Sequence, residues 1–295
     1  MKYTFRQFQK QYPNDDACLD AIFATRYGNP THCPECGVES KLTRIQGRRA
    51  YACQEGCHIY PCVGSIFEKS STPLTLWFHA MYLMTSTRNG VSAKELQRQL
   101  GVTYKCAHRI GHKLRELMSS DAKANSGPLS GNVEVDETYV GGKLKNKHKS
   151  KRVRADGLSG RGTIGKTIVV GAVEREGDLV AKVVENTDVA TLTDFVHANV
   201  SENVSLISTD EHSGYKYLKN TYPHGTVTHS SGEYVNGLVH TNTIEGFWSH
   251  FKRGIRSTHA SISRQHTNKY VGEFVFRFNN RHDSAGMFNK LISSL

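Results

Sequence analysis

The stretch Val133-Glu134-Val135-Asp136-Glu137-Thr138-Tyr139-Val140 decides how the C-terminal half of this chain folds. β-Branched and aromatic residues dominate it, which predicts a strand over 133–140. Alternation then puts Glu134 and Asp136 on one face and Glu137 on the other. Aspartate is a poor strand former, so Asp136 in a Val-rich strand needs a reason. Metal ligation is one reason; a polar row facing solvent is the alternative.

Working outward, residues 167–174 and 179–184 read as two more strands, joined by the turn Glu176-Gly177-Asp178. A helix over 190–199 follows, then a strand over 204–208 that runs into Thr209-Asp210. Three antiparallel strands, a crossover helix and a further strand predict an α/β domain of ribonuclease H-like architecture, a mixed sheet with flanking helices. The run Asn242-Thr243-Ile244-Glu245-Gly246-Phe247-Trp248-Ser249-His250-Phe251-Lys252 is an amphipathic helix with Glu245 near its start. Carboxylates on two strands and one helix can converge on a pair of divalent ions that align a phosphodiester with an attacking oxygen. Each acid also has a plainer reading. Asp210 can be a turn starter. Asn242 and Glu245 have capping-box spacing, so Glu245 can simply satisfy backbone donors. Asn242 and Glu245 share a helical face, so either can reach a metal. Lys252 lies two turns further along that face, where it can contact a DNA backbone.

The formal charge of +11 and pI near 9.3 favour a polyanionic partner, nucleic acid before an anionic membrane surface. The excess is concentrated. Residues 143–166 carry nine basic side chains against Asp156 alone, and Lys145, Lys147, Lys149 and Lys151 are its densest run. Such a block repels itself and is expected to be a mobile arm beside the Asp136 strand, where it can meet phosphates. No apolar stretch is long enough to span a bilayer, and the N-terminus lacks a signal-peptide core. The protein is expected to be cytoplasmic. Seven cysteines then argue for metal binding or burial over structural disulfides.

Cys33-Pro34-Glu35-Cys36 and Cys53-Gln54-Glu55-Gly56-Cys57 are two pairs separated by sixteen residues. They match a four-cysteine zinc ribbon, which binds Zn2+ in a closed tetrahedron. The second pair has three intervening residues where two are usual, so His58 or Cys62 could replace a ligand. Cys18 and Cys106 read as buried apolar groups in helices. Further on, Ser92 and Glu95 form a capping box, Leu96 and Leu100 a stripe, and Gly101 a sharp turn. Thr103 caps a second helix through Ala107, Ile110, Leu114 and Leu117. This is a helix-turn-helix pattern, although an ordinary αα-hairpin shares its periodicity. Tyr104, Lys105, His108, Arg109 and Lys113 are its candidate DNA contacts. The domain reading is a helix and ribbon over 1–68, helix-turn-helix over 69–120, linker over 121–131 and catalytic domain over 132–295.

With these motifs in view, the chain resembles bacterial insertion-sequence transposases of the DDE type, in the family with an N-terminal zinc ribbon and an ISXO-like transposase domain. The resemblance rests on Cys33-Pro34-Glu35-Cys36, Gly64-Ser65-Ile66-Phe67, the 92–109 segment, Val135 to Lys143, Thr209-Asp210, His240 to Glu245, Lys252-Arg253-Gly254 and the closing run 270–281. It implies a DNA transposase that cleaves phosphodiesters at element ends with Mg2+ or Mn2+ and transfers the 3′-hydroxyls into target DNA. By the resemblance Asp136 and Asp210 are the first two acids. The family uses Asn or Glu third, and Glu245 is preferred to Asn242 because Lys252 then falls seven residues later. A homodimer or larger synaptic assembly on double-stranded DNA is implied. A DNA-binding regulator without catalysis and a plain metal-dependent nuclease are the competing readings.

Overall fold

The computed structural model describes residues 3–124, 127–142, 165–228, 235–283 and 285–295. The basic run Lys145, Lys147, Lys149 and Lys151 lies outside the described residues. In chain order the helices are α1 Phe5–Gln11, α2 Asp15–Tyr27, α3 Leu74–Ser86, α4 Ala93–Leu100, α5 Tyr104–Ala124, α6 Val189–Asn199, α7 Asn242–Gly254, α8 Thr267–Asn279 and α9 Met287–Ser293. The strands are β1 Thr43–Arg44, β2 Tyr51–Ala52, β3 His58–Ile59, β4 Asn132–Val140, β5 Thr167–Glu174, β6 Leu179–Val184, β7 Leu206–Thr209 and β8 His224–Thr226. No described helix is long and apolar enough to cross a membrane.

The chain forms two compact units, Met1–Leu117 with His282–Leu295, and Met118–Arg281. The boundary falls inside α5. Residues 121–131 are structured at both ends. α5 runs to Ala124, and Leu129 is buried in the core of the second unit.

In the first unit β1, β2 and β3 form a small antiparallel sheet. Asn14 caps α2 through its side chain, which accepts the Ala17 N–H at 2.9 Å. Asp15 then caps α3 from a distance, accepting the N–H groups of Leu74 and Thr75 at 3.0 and 2.9 Å. Trp77, Phe78, Met81 and Met84 bury the apolar face of α3. Phe288 of α9 stacks at 5.4 Å on Tyr3, so the two ends of the chain share this core. In α4 the Ser92 half of the capping box forms, with its hydroxyl accepting the Glu95 N–H at 3.1 Å. The Glu95 carboxylate turns instead to Arg98 and Gln99. Gly101 takes the left-handed conformation (φ +64°) that lets α4 stop and α5 begin three residues later. Cys18 is fully buried; Cys106 is only partly so, its sulfur 3.5 Å from the Thr72 hydroxyl.

The second unit is a mixed five-stranded sheet of order β6-β5-β4-β7-β8. β4, β5 and β6 are antiparallel neighbours, and β7 and β8 run parallel to β4. On one face Val133, Val135, Val170 and Ala172 pack on Leu192, Phe195 and Val196 of α6. On the other, α7 lies across β4 and β5. Gly171 makes this approach possible, because a Cβ there would sit 2.8 Å from the Trp248 ring. α8 covers the outer strand. Asn268 accepts the Val183 N–H, and Asn279 both accepts from and donates to the backbone of Leu179.

Candidate active site and ribbon metal centre

The register of the sheet builds the acidic site. β4 and β7 pair in parallel as far as Glu134 opposite Ser208. Carried two residues further, that register sets Asp136 beside Asp210. β7 ends at Thr209, so beyond it β4 is flanked by the turn that carries Asp210 and His212 and not by a paired strand. Side chains from both faces of β4 can bend toward this turn. One carboxylate oxygen each from Asp136, Glu137 and Asp210 lies within 4.8 Å of the others. Strand alternation is as expected, since Glu137 points to the α6 face and Asp136 to the α7 face. The end of β7 is what brings Glu137 into the group.

Glu137 is held by its surroundings. The buried Tyr215 hydroxyl donates to it at 3.0 Å, and His212 Nε2 lies 3.9 Å away. His212 also donates its backbone N–H to Asp210 Oδ1 at 3.0 Å, fixing the turn after β7. Burial, with the charges of Glu137, Asp210 and Glu245 adding to it, pushes the Asp136 carboxyl up to about 8. Burial and Asp210 raise Glu137 as well, against the opposing pull of His212 and Tyr215. Three or four carboxylates collected without a cation are costly; a divalent ion removes that cost. The oxygen donor set fits a hard divalent metal.

Glu245 stands on the first turn of α7, close enough for its charge to bear on Asp136. It does not form a capping box with Asn242. Thr241 is the N-cap residue, and its hydroxyl donates to Glu245 Oε1 at 2.9 Å. Asn242 is the exposed first residue of the helix. The first backbone donors of α7 go to Glu134, which is wholly buried. It accepts from the N–H groups of Thr243 and Ile244 at 2.7 and 3.0 Å and from Arg175 Nε at 2.8 Å. Glu134 thus bolts the helix bearing Glu245 to the strand bearing Asp136. Lys252 sits two turns below Glu245 and is half-buried. Burial lowers its ammonium pKa; Asp136 opposes the shift, and Lys166 and Arg256 reinforce it.

In the first unit the sulfurs of Cys33, Cys36, Cys53 and Cys57 lie within 4.8 Å of one another. A Zn–S bond near 2.3 Å implies sulfurs about 3.8 Å apart, and Cys36 and Cys53 stand 4.0 Å apart. The four-cysteine cluster fits zinc. The three-residue interval in the second pair is absorbed by the β2–β3 hairpin, where Gly56 adopts φ +82° and donates to the Cys53 carbonyl. Neither His58 nor Cys62 belongs to the cluster. Cys62 is buried apart, with its thiol pKa raised by that burial. The Cys36 and Glu35 backbone donors bring the Cys33 thiol down to about 7 despite burial, whereas the neighbouring sulfurs of Cys36 and Cys53 push Cys57 up to about 12; a cation among the four sulfurs removes that conflict.

On α5, Tyr104, Lys105, Arg109 and Lys113 are exposed and His108 is half-buried. Lys94 lies 4.9 Å over the Tyr104 ring, and His108 stacks on His112 at 4.1 Å. Arg109 is tied back to Thr72 and Ser70 at 3.0 and 3.4 Å, and Lys113 pairs with Glu116. Lys105 is therefore the most available of the five for an external partner.

Residues 13–59 match the transposase zinc-ribbon domain family. A protein of Halobacterium salinarum, described as an uncharacterized protein in transposable element ISH50, is 29% identical over 281 residues. The match covers 91% of this chain and 92% of that protein. The strand-borne acids and the α7 helix all fall within residues 128–279, which match the ISXO2-like transposase domain, and the chain belongs to that family.

Proposed function

We propose that this chain is a metal-dependent DNA strand transferase that moves an insertion sequence. The observation that carries the reading is the convergence of Asp136, Glu137 and Asp210, with Glu245 and Lys252 brought alongside by α7. The sheet order β6-β5-β4-β7-β8, with its first three strands antiparallel, supports a ribonuclease H-like catalytic domain. Asp136, Asp210 and Glu245 are the metal-holding acids in this reading; Glu245 and Asn242 are both exposed and both outside the Asp136–Glu137–Asp210 group, and Glu245 is preferred because its carboxylate charge bears on Asp136. Bound Mg2+ or Mn2+ would supply an acidified water and charge neutralisation at the scissile phosphate. The chain's own contribution is to hold the acids rigidly through Glu134 and to place the Lys252 ammonium beside the developing negative charge. The hydrolysis product, a 3′-hydroxyl, is then the nucleophile for joining to target DNA in the same site.

The α4–turn–α5 arrangement supports a helix-turn-helix that reads the element's ends, with the ribbon beside it in sequence. The functional modules are proposed as the ribbon over 1–68, the helix-turn-helix over 69–120 and the catalytic domain from 132 onward. Two ends must be brought together, so a homodimer or larger assembly acting on cytoplasmic DNA is part of the proposal. The test supplies duplex ends with and without prior cutting, a target plasmid and Mg2+. Joined products are expected, lost in Asp136→Ala and Asp210→Ala while end binding persists. Cutting without joining would make the protein a nuclease. Metal-independent binding alone would make it a regulator.

A further inference from the structure

The C-terminal end of α7 gathers charge that the acidic site does not use. Ser249, Arg253, Arg256 and Ser257 line one open groove on its outer side. Both arginines are exposed, and neither has an acidic partner among the described residues. Arg256 gives only its Nε to the Lys252 carbonyl, at 3.3 Å. Lys252, near Lys166, has Asp136 as its acidic neighbour and belongs to the acidic site. A helix C-terminus favours one or two cations through its dipole. That does not account for the two hydroxyls that stand with the paired arginines in one groove. Like charges so placed repel one another unless an anion joins them.

The base beneath the groove is closely packed. Gly254 lies against the Phe274 ring, where a Cβ would be 2.4 Å from Phe274 Cζ. Phe251 packs on the same ring at 5.1 Å. The helix then widens into a π turn over Ile255–His259 and breaks at Ala260, a non-glycine residue at φ +60°. Such segments concentrate at functional sites. Arg253 and Arg256 are three residues apart, so their Cβ atoms are about 5–6 Å apart on one helical face.

We propose that this groove binds successive phosphates of a DNA strand, with Arg253 and Arg256 as the paired contacts and Ser249 and Ser257 as hydroxyl donors. The choice of DNA as the polyanion rests on the transposase reading. Contacts of this kind position DNA without reading its sequence.

The full-length double variant R253Q/R256Q tests the proposal by fluorescence anisotropy on 30-base-pair duplexes across a salt series, without added divalent metal. Two phosphates are lost at about 0.9 each, so the slope of log affinity against log salt is expected to fall by about 2. Affinity at moderate salt is expected to fall by roughly tenfold for any sequence. R253K/R256K is expected to keep most of the slope. An unchanged slope and affinity in R253Q/R256Q, with thermal unfolding like the parent's, overturns the proposal. The source of the phosphates follows from catalysis in the same variant. Loss of both cutting and joining assigns the groove to the element's end; loss of joining alone, with precut ends, assigns it to target DNA. The slope measurement needs no catalysis, so a parent protein that never joins strands would sink the transposase reading alone.

Discussion

Glu134 on β4 and Thr243 on α7 are joined twice: Glu134 Oε2 accepts the Thr243 N–H at 2.7 Å and Oε1 accepts its hydroxyl at 2.9 Å. The contact links strand and helix through a wholly buried carboxylate. It satisfies donors that every helix leaves open in its first turn, and the helix dipole favours the negative charge. Arg175 completes the arrangement by binding Glu134 and the carbonyls of Leu238 and His240. The positions of Asp136 and Glu245 relative to each other therefore depend on a residue outside the Asp136–Glu137–Asp210 group.

Glu134→Ala removes the carboxylate paired with a mostly buried guanidinium, which keeps its carbonyl partners at Leu238 and His240, and leaves two backbone donors open. Removing one partner of a buried pair costs about 3–5 kcal/mol, and that loss is expected here. Trp248 fluorescence during urea unfolding, in a Trp77→Phe background, reads the second unit. A loss below about 1 kcal/mol would mean that water or Thr241 replaces the clamp.

The third acid is separable from its neighbours. Glu245→Gln is expected to abolish joining with little change in folding. Asn242→Ala is expected to shift stability by less than about 0.5 kcal/mol, since Asn242 is exposed and Thr241 occupies the cap. Glu137→Gln is expected to weaken activation by Mg2+ by about 10- to 100-fold, the cost typical of groups that support a metal site. If Asn242→Ala kills activity and Glu245→Gln does not, the third ligand is Asn242.

Zinc is the next test. The purified protein is expected to hold one Zn2+ per chain, bound by Cys33, Cys36, Cys53 and Cys57. Cys57→Ser is expected to lose that zinc and Cys62→Ser to keep it. Metal analysis with the opposite pattern would move the fourth ligand to Cys62.

How much of this could be read from sequence depends on the range of the interactions. The strands β4, β5 and β6 were legible because alternation and a Gly-containing turn are local properties. The ribbon cysteines were legible because zinc imposes their pairing, and only the long second interval needed the hairpin to explain it. Glu137 was not legible as a site residue. Its face followed correctly from alternation, but its arrival at the acids depends on where β7 stops. Glu134 was unreadable for a similar reason, because its partners lie 109 and 110 residues away. Asn242 at capping distance from Glu245 was a false local cue, displaced by one residue in favour of Thr241.

The acids also set a pH dependence. In the metal-free fold Asp136 keeps its proton up to about 8, whereas its ordinary value is 3.8. Between those values the folded chain holds a proton that the unfolded chain releases, so raising the pH favours unfolding. Stability in magnesium-free buffer, with ribbon zinc left in place, is therefore expected to fall from about pH 4 to about pH 8 as Asp136 is forced to ionise. A bound divalent ion takes the proton's place, so added Mg2+ should flatten the decline. Binding near pH 7 is expected to release protons and to tighten as the pH approaches 8. Calorimetry in buffers of different ionisation enthalpy counts those protons directly. The same heat in every buffer would mean that Asp136 is already ionised before metal arrives, and that its neighbours' charges are neutralised by another group.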